Sequence, residues 1–89
     1  MTNQVFHGDG FTVEPAGMHS LRYNENGKSA LVHGETTILD ASNLETGFVI
    51  YSDSVGWEES QELEEQDRIR ILSGVSKALR AWGVSFEIE

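Results

Sequence analysis

The first half of the chain alternates short apolar runs with turn residues, a pattern typical of antiparallel β-strands. The clearest signal is Asn26-Gly27, because asparagine and glycine tolerate the positive φ angles of a type I′ hairpin turn. A turn here pairs Leu21 with Val32 and Tyr23 with Ala30, and both pairs lie on one apolar face. Further strands are predicted at residues 11 to 13, 36 to 39 and 48 to 51.

The pattern changes near residue 62, where apolar residues begin to recur at the period of an α-helix. Leu72, Val75, Leu79 and Trp82 follow the spacing i, i+3, i+7 and i+10, so they share one face of a long amphipathic helix from about residue 62 to 82. Gly83 stands where a left-handed residue would end that helix. Apolar and polar side chains alternate after it, which predicts a closing strand with one buried face.

Together these elements predict an α+β fold. We expect an antiparallel sheet of about five or six strands, with one long amphipathic helix packed on one face and a C-terminal strand after the helix. A chain of 89 residues supports one hydrophobic core, so we interpret residues 1 to 89 as a single domain. Residues 1 to 10 are expected to fray in part.

The chain is strongly acidic, with 15 Asp and Glu against six Lys and Arg and a formal net charge of -9. Nucleic acid is therefore not the expected partner, since proteins bind it by neutralising phosphates with basic side chains. A protein with a basic surface fits this charge better. The lack of cysteine excludes disulfides and thiolate zinc sites and is compatible with a reducing compartment, so we expect a cytoplasmic protein. No apolar run approaches the ~20 residues that span a bilayer, so no membrane contact is expected.

A tryptophan stands among carboxylates in a Gly/Ser-containing segment ahead of the helix, which is an unusual setting for a core residue. The segment contains Asp53, Trp57, Glu58, Glu59 and Glu62. Its acids have no basic partner nearby in the sequence and repel one another. We interpret these five residues as a candidate partner-binding surface, with tryptophan as the apolar anchor. Two alternatives remain: the acids serve only solubility, and the tryptophan packs over the helix start as a lid on the core.

Patterns that carry catalysis or metal binding are weak. In the predicted hairpin His33 lies opposite Ser20, so His19 projects from the other face of the sheet and cannot easily share an ion with His33. The chain has no cysteine and no Gly-x-Ser-x-Gly nucleophile elbow. Carboxylates in a hydrophilic loop stay ionised and are poor general acids. We therefore expect no enzymatic activity, no metal and no cofactor.

Short motifs in the last forty residues resemble a known family. They are Ile50-Tyr51-Ser52-Asp53-Ser54, Trp57-Glu58, Arg68-Ile69, Ile71, Ala78-Leu79, Gly83-Val84 and Glu87-Ile88. In these motifs the chain resembles the immunity protein 74 family, small α+β proteins encoded beside toxin genes in bacterial polymorphic toxin systems. It departs from the family where Glu59-Ser60 replaces the proline that usually follows the Trp-acid pair.

The resemblance implies a non-catalytic immunity protein that binds and neutralises a cognate toxin domain, and the charge independently favours a protein partner with a basic surface. Two other classes stay open. A small regulatory or ligand-binding α+β module would expose apolar residues on the open sheet face, and a small hydrolase would need a pocket with a carboxyl of raised pKa. A homodimer through an edge strand, such as residues 84 to 88, is compatible with all three.

Overall fold

The computed structural model describes residues 5–17, 19–40, 45–59 and 62–89. Residues 1–4, part of the segment expected to fray, lie outside this set, as do residues 18, 41–44, 60 and 61. The described chain forms β1 (Phe6–His7), β2 (Thr12–Pro15), β3 (Ser20–Glu25), β4 (Lys28–Asp40), β5 (Glu45–Ile50), a 3₁₀ turn (Ser52–Ser54), β6 (Gly56–Trp57), α1 (Glu65–Ala81) and β7 (Phe86–Ile88). The predicted α+β fold is confirmed.

The hairpin between β3 and β4 has the register that the sequence predicts. Leu21 pairs with Val32 and Tyr23 pairs with Ala30. The turn residues Asn26-Gly27 have φ angles of 47° and 78°, as a type I′ turn requires. Both members of each pair are buried and point into the core, and the alternate residues of β3 and β4 form an outer sheet face.

β4 is one long strand rather than the two short strands that the sequence pattern indicated. Its residues 28 to 33 pair with β3, and its residues 34 to 40 pair with β5. β6 pairs with β4 at Ala30 and Leu31. The strand order is β1-β2-β3-β4-β5-β7, with β6 joined to β4 beside this path.

The closing strand is confirmed, and its pairing makes the sheet mixed. β7 runs parallel to β5, with Phe48 beside Phe86 and Ile50 beside Ile88. The sequence analysis predicted an antiparallel sheet. All other pairings between the described strands are antiparallel, as predicted. The difference arises because α1 forms the crossover between β5 and β7, and such a crossover returns the chain to the same end of the sheet.

α1 ends at the predicted glycine. Gly83 has a φ of 74°, its N–H donates to the Arg80 carbonyl at 3.1 Å, and the Val84 N–H donates to the Leu79 carbonyl at 2.9 Å. These two bonds form a Schellman motif, which satisfies carbonyl groups that the helix end leaves open. The helix begins at Glu65, three residues after the predicted start, and the Glu64 N–H donates to Asp67 Oδ2 at 3.2 Å.

The core lies between the inner sheet face and α1. Its buried apolar residues are Val13, Leu21, Tyr23, Ala30, Val32, Ile50, Val55, Ile71, Val75, Ala78 and Leu79. The predicted helical stripe supplies part of this set, while Leu72 and Trp82 pack against it in partly buried positions. No helix within the described ranges is long and apolar enough to cross a membrane.

Candidate partner-binding surface

The acidic loop, defined here as residues 52 to 62, starts with a 3₁₀ turn that is tied to β4. The Ser54 hydroxyl oxygen accepts a hydrogen bond from the His33 N–H at 2.9 Å and donates to the Tyr51 carbonyl at 2.6 Å. The Tyr51 N–H in turn donates to the His33 carbonyl at 3.0 Å. Asp53 lies in the middle of this turn with its side chain exposed. The sheet therefore holds Asp53 on a fixed backbone.

Trp57 lies partly buried against the core. It pairs with Ala30, whose side chain is on the inner sheet face, and the next residue, Glu58, donates its N–H to the Ser29 carbonyl at 2.8 Å. The Trp57 ring packs against the core cluster, and Lys28 Nζ lies 5.4 Å from the ring centroid. Trp57 therefore covers part of the core, as the alternative of a lid on the core expects, and the rest of its side chain remains accessible to solvent.

Glu58 has a basic partner that the local sequence does not reveal. Arg22 Nε donates to Glu58 Oε2 at 2.7 Å across the outer sheet face, and a second guanidinium nitrogen lies 3.4 Å from Oε1. The hydrogen bond to Glu58, and then its charge, raise the pKa of Arg22 above its usual value. The two side chains are 36 and 30% exposed, so water screens the pair and its contribution to stability is small.

The other three acids of the predicted surface point to solvent. Asp53, Glu59 and Glu62 are exposed, and none of them takes part in the ion pairs formed within the described ranges. Their charges are therefore available to an approaching cation. The acidic loop thus presents one compensated and three uncompensated carboxylates beside a partly accessible tryptophan.

A second charged cluster joins the hairpin to α1. Arg70 contacts Asp67 at 2.9 Å, a helical i, i+3 pair, and also binds both carboxylate oxygens of Glu25 at 2.9 and 2.8 Å. The Tyr23 hydroxyl donates to Glu25 Oε1 at 2.7 Å. Only 10% of the Glu25 side chain is exposed, so this carboxylate is satisfied within the fold.

The cluster shifts the pKa values of its members in opposite directions. The hydrogen bond from Arg70 is the main cause that lowers the pKa of Glu25. Burial, followed by the hydrogen bond to Glu25, raises the pKa of Tyr23 to about 12. A hydrogen bond from the Glu64 backbone lowers the pKa of Asp67. Each carboxyl is held ionised, which is the opposite of what general acid catalysis requires.

A groove of about 710 Å³ runs beside this cluster, between α1 and the β3–β4 turn. Phe11 and Tyr23 form its floor, with ring centroids 5.2 Å apart, and Arg70 and Glu25 line its wall. Arg70 and Glu25 bind each other across this wall. Within the described residues, no three His, Asp or Glu side chains are grouped so that they would hold a metal ion.

The outer sheet face over β2, β3 and β4 carries a polar network. Asn24 Nδ2 donates to Thr12 Oγ1 and to Glu14 Oε1, both at 3.1 Å, and Ser29 Oγ donates to Asn24 Oδ1 at 2.6 Å. The predicted position of His33 opposite Ser20 is confirmed, with Nδ1 and Oγ 2.8 Å apart. The side chains named here are all polar, whereas a hydrophobic ligand-binding module would present exposed apolar side chains on this face.

The family model described as Immunity protein 74 matches residues 15–89, which include every strand from β3 onward, the acidic loop and α1. No curated protein and no solved structure matches the chain.

Proposed function

The chain belongs to the immunity protein 74 family, and from this premise we propose that it binds a cognate bacterial toxin domain and neutralises it without catalysis. The family match is the observation that carries the proposal, because it covers residues 15–89 of 89. A net charge of -9 supports a toxin with a basic surface as the partner. The protein acts in the cytoplasm of the cell that it protects.

Asp53, Trp57, Glu58, Glu59 and Glu62 form the proposed contact surface. The exposed carboxylates at 53, 59 and 62 pair with Lys and Arg of the toxin, and the accessible part of Trp57 supplies an apolar contact. Glu58 belongs to the same surface, and its ion pair with Arg22 holds its carboxylate in one position there. Complementary charge speeds association, up to ~10⁸ M⁻¹s⁻¹ at low salt, which suits a protein that must capture an incoming toxin.

The backbone of the acidic loop supports this role. The hydrogen bond from the His33 N–H to Ser54 and that from the Glu58 N–H to the Ser29 carbonyl hold residues 54 to 58 against β4 before any partner arrives. A surface ordered in advance loses less conformational entropy on binding, so more of the contact energy appears as affinity.

The test is co-expression with the polypeptide encoded immediately upstream of this gene, followed by a pull-down at low and high salt. We expect a complex that weakens with salt and growth rescue from that polypeptide's toxicity. The absence of both a complex and a toxic neighbour would contradict the proposal and favour a small α+β regulatory module.

A pair of charge reversals locates the surface. Glu59→Lys should slow association with the same polypeptide about threefold or more at low salt and flatten its salt dependence. Asp9→Lys makes the same charge change at an exposed residue outside the acidic loop and should slow association less. Equal effects of the two variants would remove the acidic loop from the mechanism.

A further inference from the structure

β7 lies at one end of the sheet that the described strands form. The Phe48 N–H donates to the Ser85 carbonyl at 2.8 Å, and the Glu89 N–H donates to the Ile50 carbonyl at 2.8 Å. Residues 85 and 89 thus direct these backbone groups toward β5. Because alternate residues of a strand bond to opposite sides, Phe86 and Ile88 direct their N–H and C=O groups away from β5. Among the described strands, none pairs with that side of β7.

The side chains along this edge leave room for another strand. Ile88 is 46% exposed although it lies beside the fully buried Ile50. Phe86 packs against the core, with the Arg80 guanidinium 5.6 Å from its ring centroid. Natural sheets often block such edges with proline or charge; residues 86 to 88 contain no proline, and their one charged residue is the acidic Glu87.

The charge of the edge argues against a second copy of the chain as its occupant. Glu87 and Glu89 are exposed and alternate with Ile88. Two copies related by a two-fold axis would pair their β7 strands antiparallel, and a register centred on Glu87 or Ile88 places Glu87 opposite Glu87 or Glu89. The net charge of -9 on each copy adds to this repulsion.

The edge also joins the acidic loop. The Ser52 N–H donates to the Glu89 carbonyl at 2.7 Å, so the end of β7 is hydrogen-bonded to the first residue of that loop. A single partner can therefore contact both features.

We propose that the open edge of β7 accepts an extended strand of the cognate toxin, and that this strand carries Lys or Arg at the positions facing Glu87 and Glu89. The main-chain groups of Phe86 and Ile88 supply the hydrogen bonds, as in other cases of β-strand addition. This inference rests on the proposed function and adds the mode of binding to it.

Residue-resolved amide hydrogen exchange, measured by NMR, tests the inference on the full chain alone and in complex with the polypeptide encoded immediately upstream. We expect exchange at Phe86 and Ile88 to slow at least tenfold in the complex. The amides of Glu87 and Glu89 face β5 already and serve as internal controls, with a smaller change expected.

The outcomes separate the two proposals. A complex in which Phe86 and Ile88 exchange as in the free protein overturns strand addition and leaves the immunity function standing. No complex at all overturns both. Slow exchange at these two amides in concentrated protein alone identifies a second copy as the occupant, which also overturns the inference.

Two variants complete the test. Ile88→Pro removes the outward N–H and should weaken the complex at least tenfold, whereas Ile88→Ala retains the N–H and should weaken it less. Glu87→Lys, which changes an exposed side chain, should weaken the complex more than Asp9→Lys does at low salt. Wild-type affinity in both Ile88→Pro and Glu87→Lys would overturn the inference, and the second variant decides the matter if proline disturbs β7.

Discussion

Arg22 and Glu58 form an ion pair on the outer sheet face, with 2.7 Å between Arg22 Nε and Glu58 Oε2, although 36 residues separate them in the chain. Arg22 lies on β3, and Glu58 follows β6 directly. The pair therefore connects the acidic loop to a strand that β6 itself does not contact through backbone pairing. It distinguishes Glu58 from Glu59, its neighbour in the sequence.

This difference predicts unequal effects on stability. Glu58→Gln should lower the thermal midpoint by no more than a few degrees, because the pair is partly exposed, and Glu59→Gln should leave it unchanged. Thermal unfolding of both variants, together with Arg22→Gln and the double variant, measures the coupling. Strictly additive effects of Arg22→Gln and Glu58→Gln would show that the pair contributes nothing to stability.

Trp57→Ala should destabilise the fold. The ring packs against the core but is only partly buried, so we expect the free energy of unfolding to fall by about 2 kcal/mol, less than for a fully buried tryptophan. Trp57→Phe keeps an aromatic ring in place and should cost less. Urea denaturation measures both variants, and an unchanged midpoint for Trp57→Ala would mean that the residue serves the surface alone.

The bond between Arg70 and Glu25 predicts a loss of stability in acid. Arg70 holds the pKa of Glu25 below its usual value of 4.5. The resulting stabilisation is fully present above that value and is lost as the pH falls through the lower pKa of the folded state. Arg70→Gln should reduce the unfolding free energy at neutral pH by about 1 kcal/mol, allowing for solvent screening, and weaken its dependence on pH below 4.5.

Arg68→Gln is the matched control for this prediction. Arg68 makes an i, i+3 pair with Glu65, whose side chain is 70% exposed, so its loss should change stability less. Urea titrations from neutral to acidic pH compare the two variants. Equal pH profiles for Arg70→Gln and the wild type would exclude the Glu25 bond as the source of acid sensitivity.

Tyr23 predicts a separate loss of stability in alkali. Its pKa is raised from 10.0 to about 12, so the folded state favours the neutral phenol. That stabilisation is complete below pH 10 and is lost as the pH rises through about 12. The chain has two tyrosines, so tyrosinate absorbance in Tyr51→Phe reports Tyr23 alone. Titration near pH 10 in a folded protein would contradict the buried hydrogen bond to Glu25.

Gly74 allows α1 to approach the aromatic floor of the groove. A Cβ at this position would lie 2.7 Å from Tyr23 Cε2 and 2.9 Å from Phe11 Cε2, closer than packed atoms tolerate. Gly74→Ala gains about 1 kcal/mol of helix propensity but incurs an overpacking cost of about 1–3 kcal/mol, so we expect a net loss. Ser73→Ala, at the neighbouring exposed position, should not destabilise. Urea denaturation measures the free energy of unfolding of both variants. A higher stability of Gly74→Ala than of the wild type would contradict the close approach.

The features that depend on residues close together in the sequence could be predicted from the sequence. The Asn26-Gly27 turn and the alternation around it set the hairpin register, and the helical stripe with Gly83 located α1 and its end. Turn geometry and side-chain periodicity act over a few residues, so their physical causes are visible in a short segment. The sequence by itself thus determined the α+β class, the hairpin register, the helix and its cap, and the acidic character of the chain.

The tertiary structure alone decided which distant residues meet. It paired Glu58 with Arg22 and Glu25 with Arg70, which lie 36 and 45 residues apart, and so left only part of the acidic loop with uncompensated charge. It also joined two predicted strands into β4 and placed β7 parallel to β5, with its other edge unpaired by any described strand. The distant ion pairs form only when the core packs, and the direction of β7 depends on how the crossover through α1 returns to the sheet. Neither depends on a pattern within a short segment of sequence.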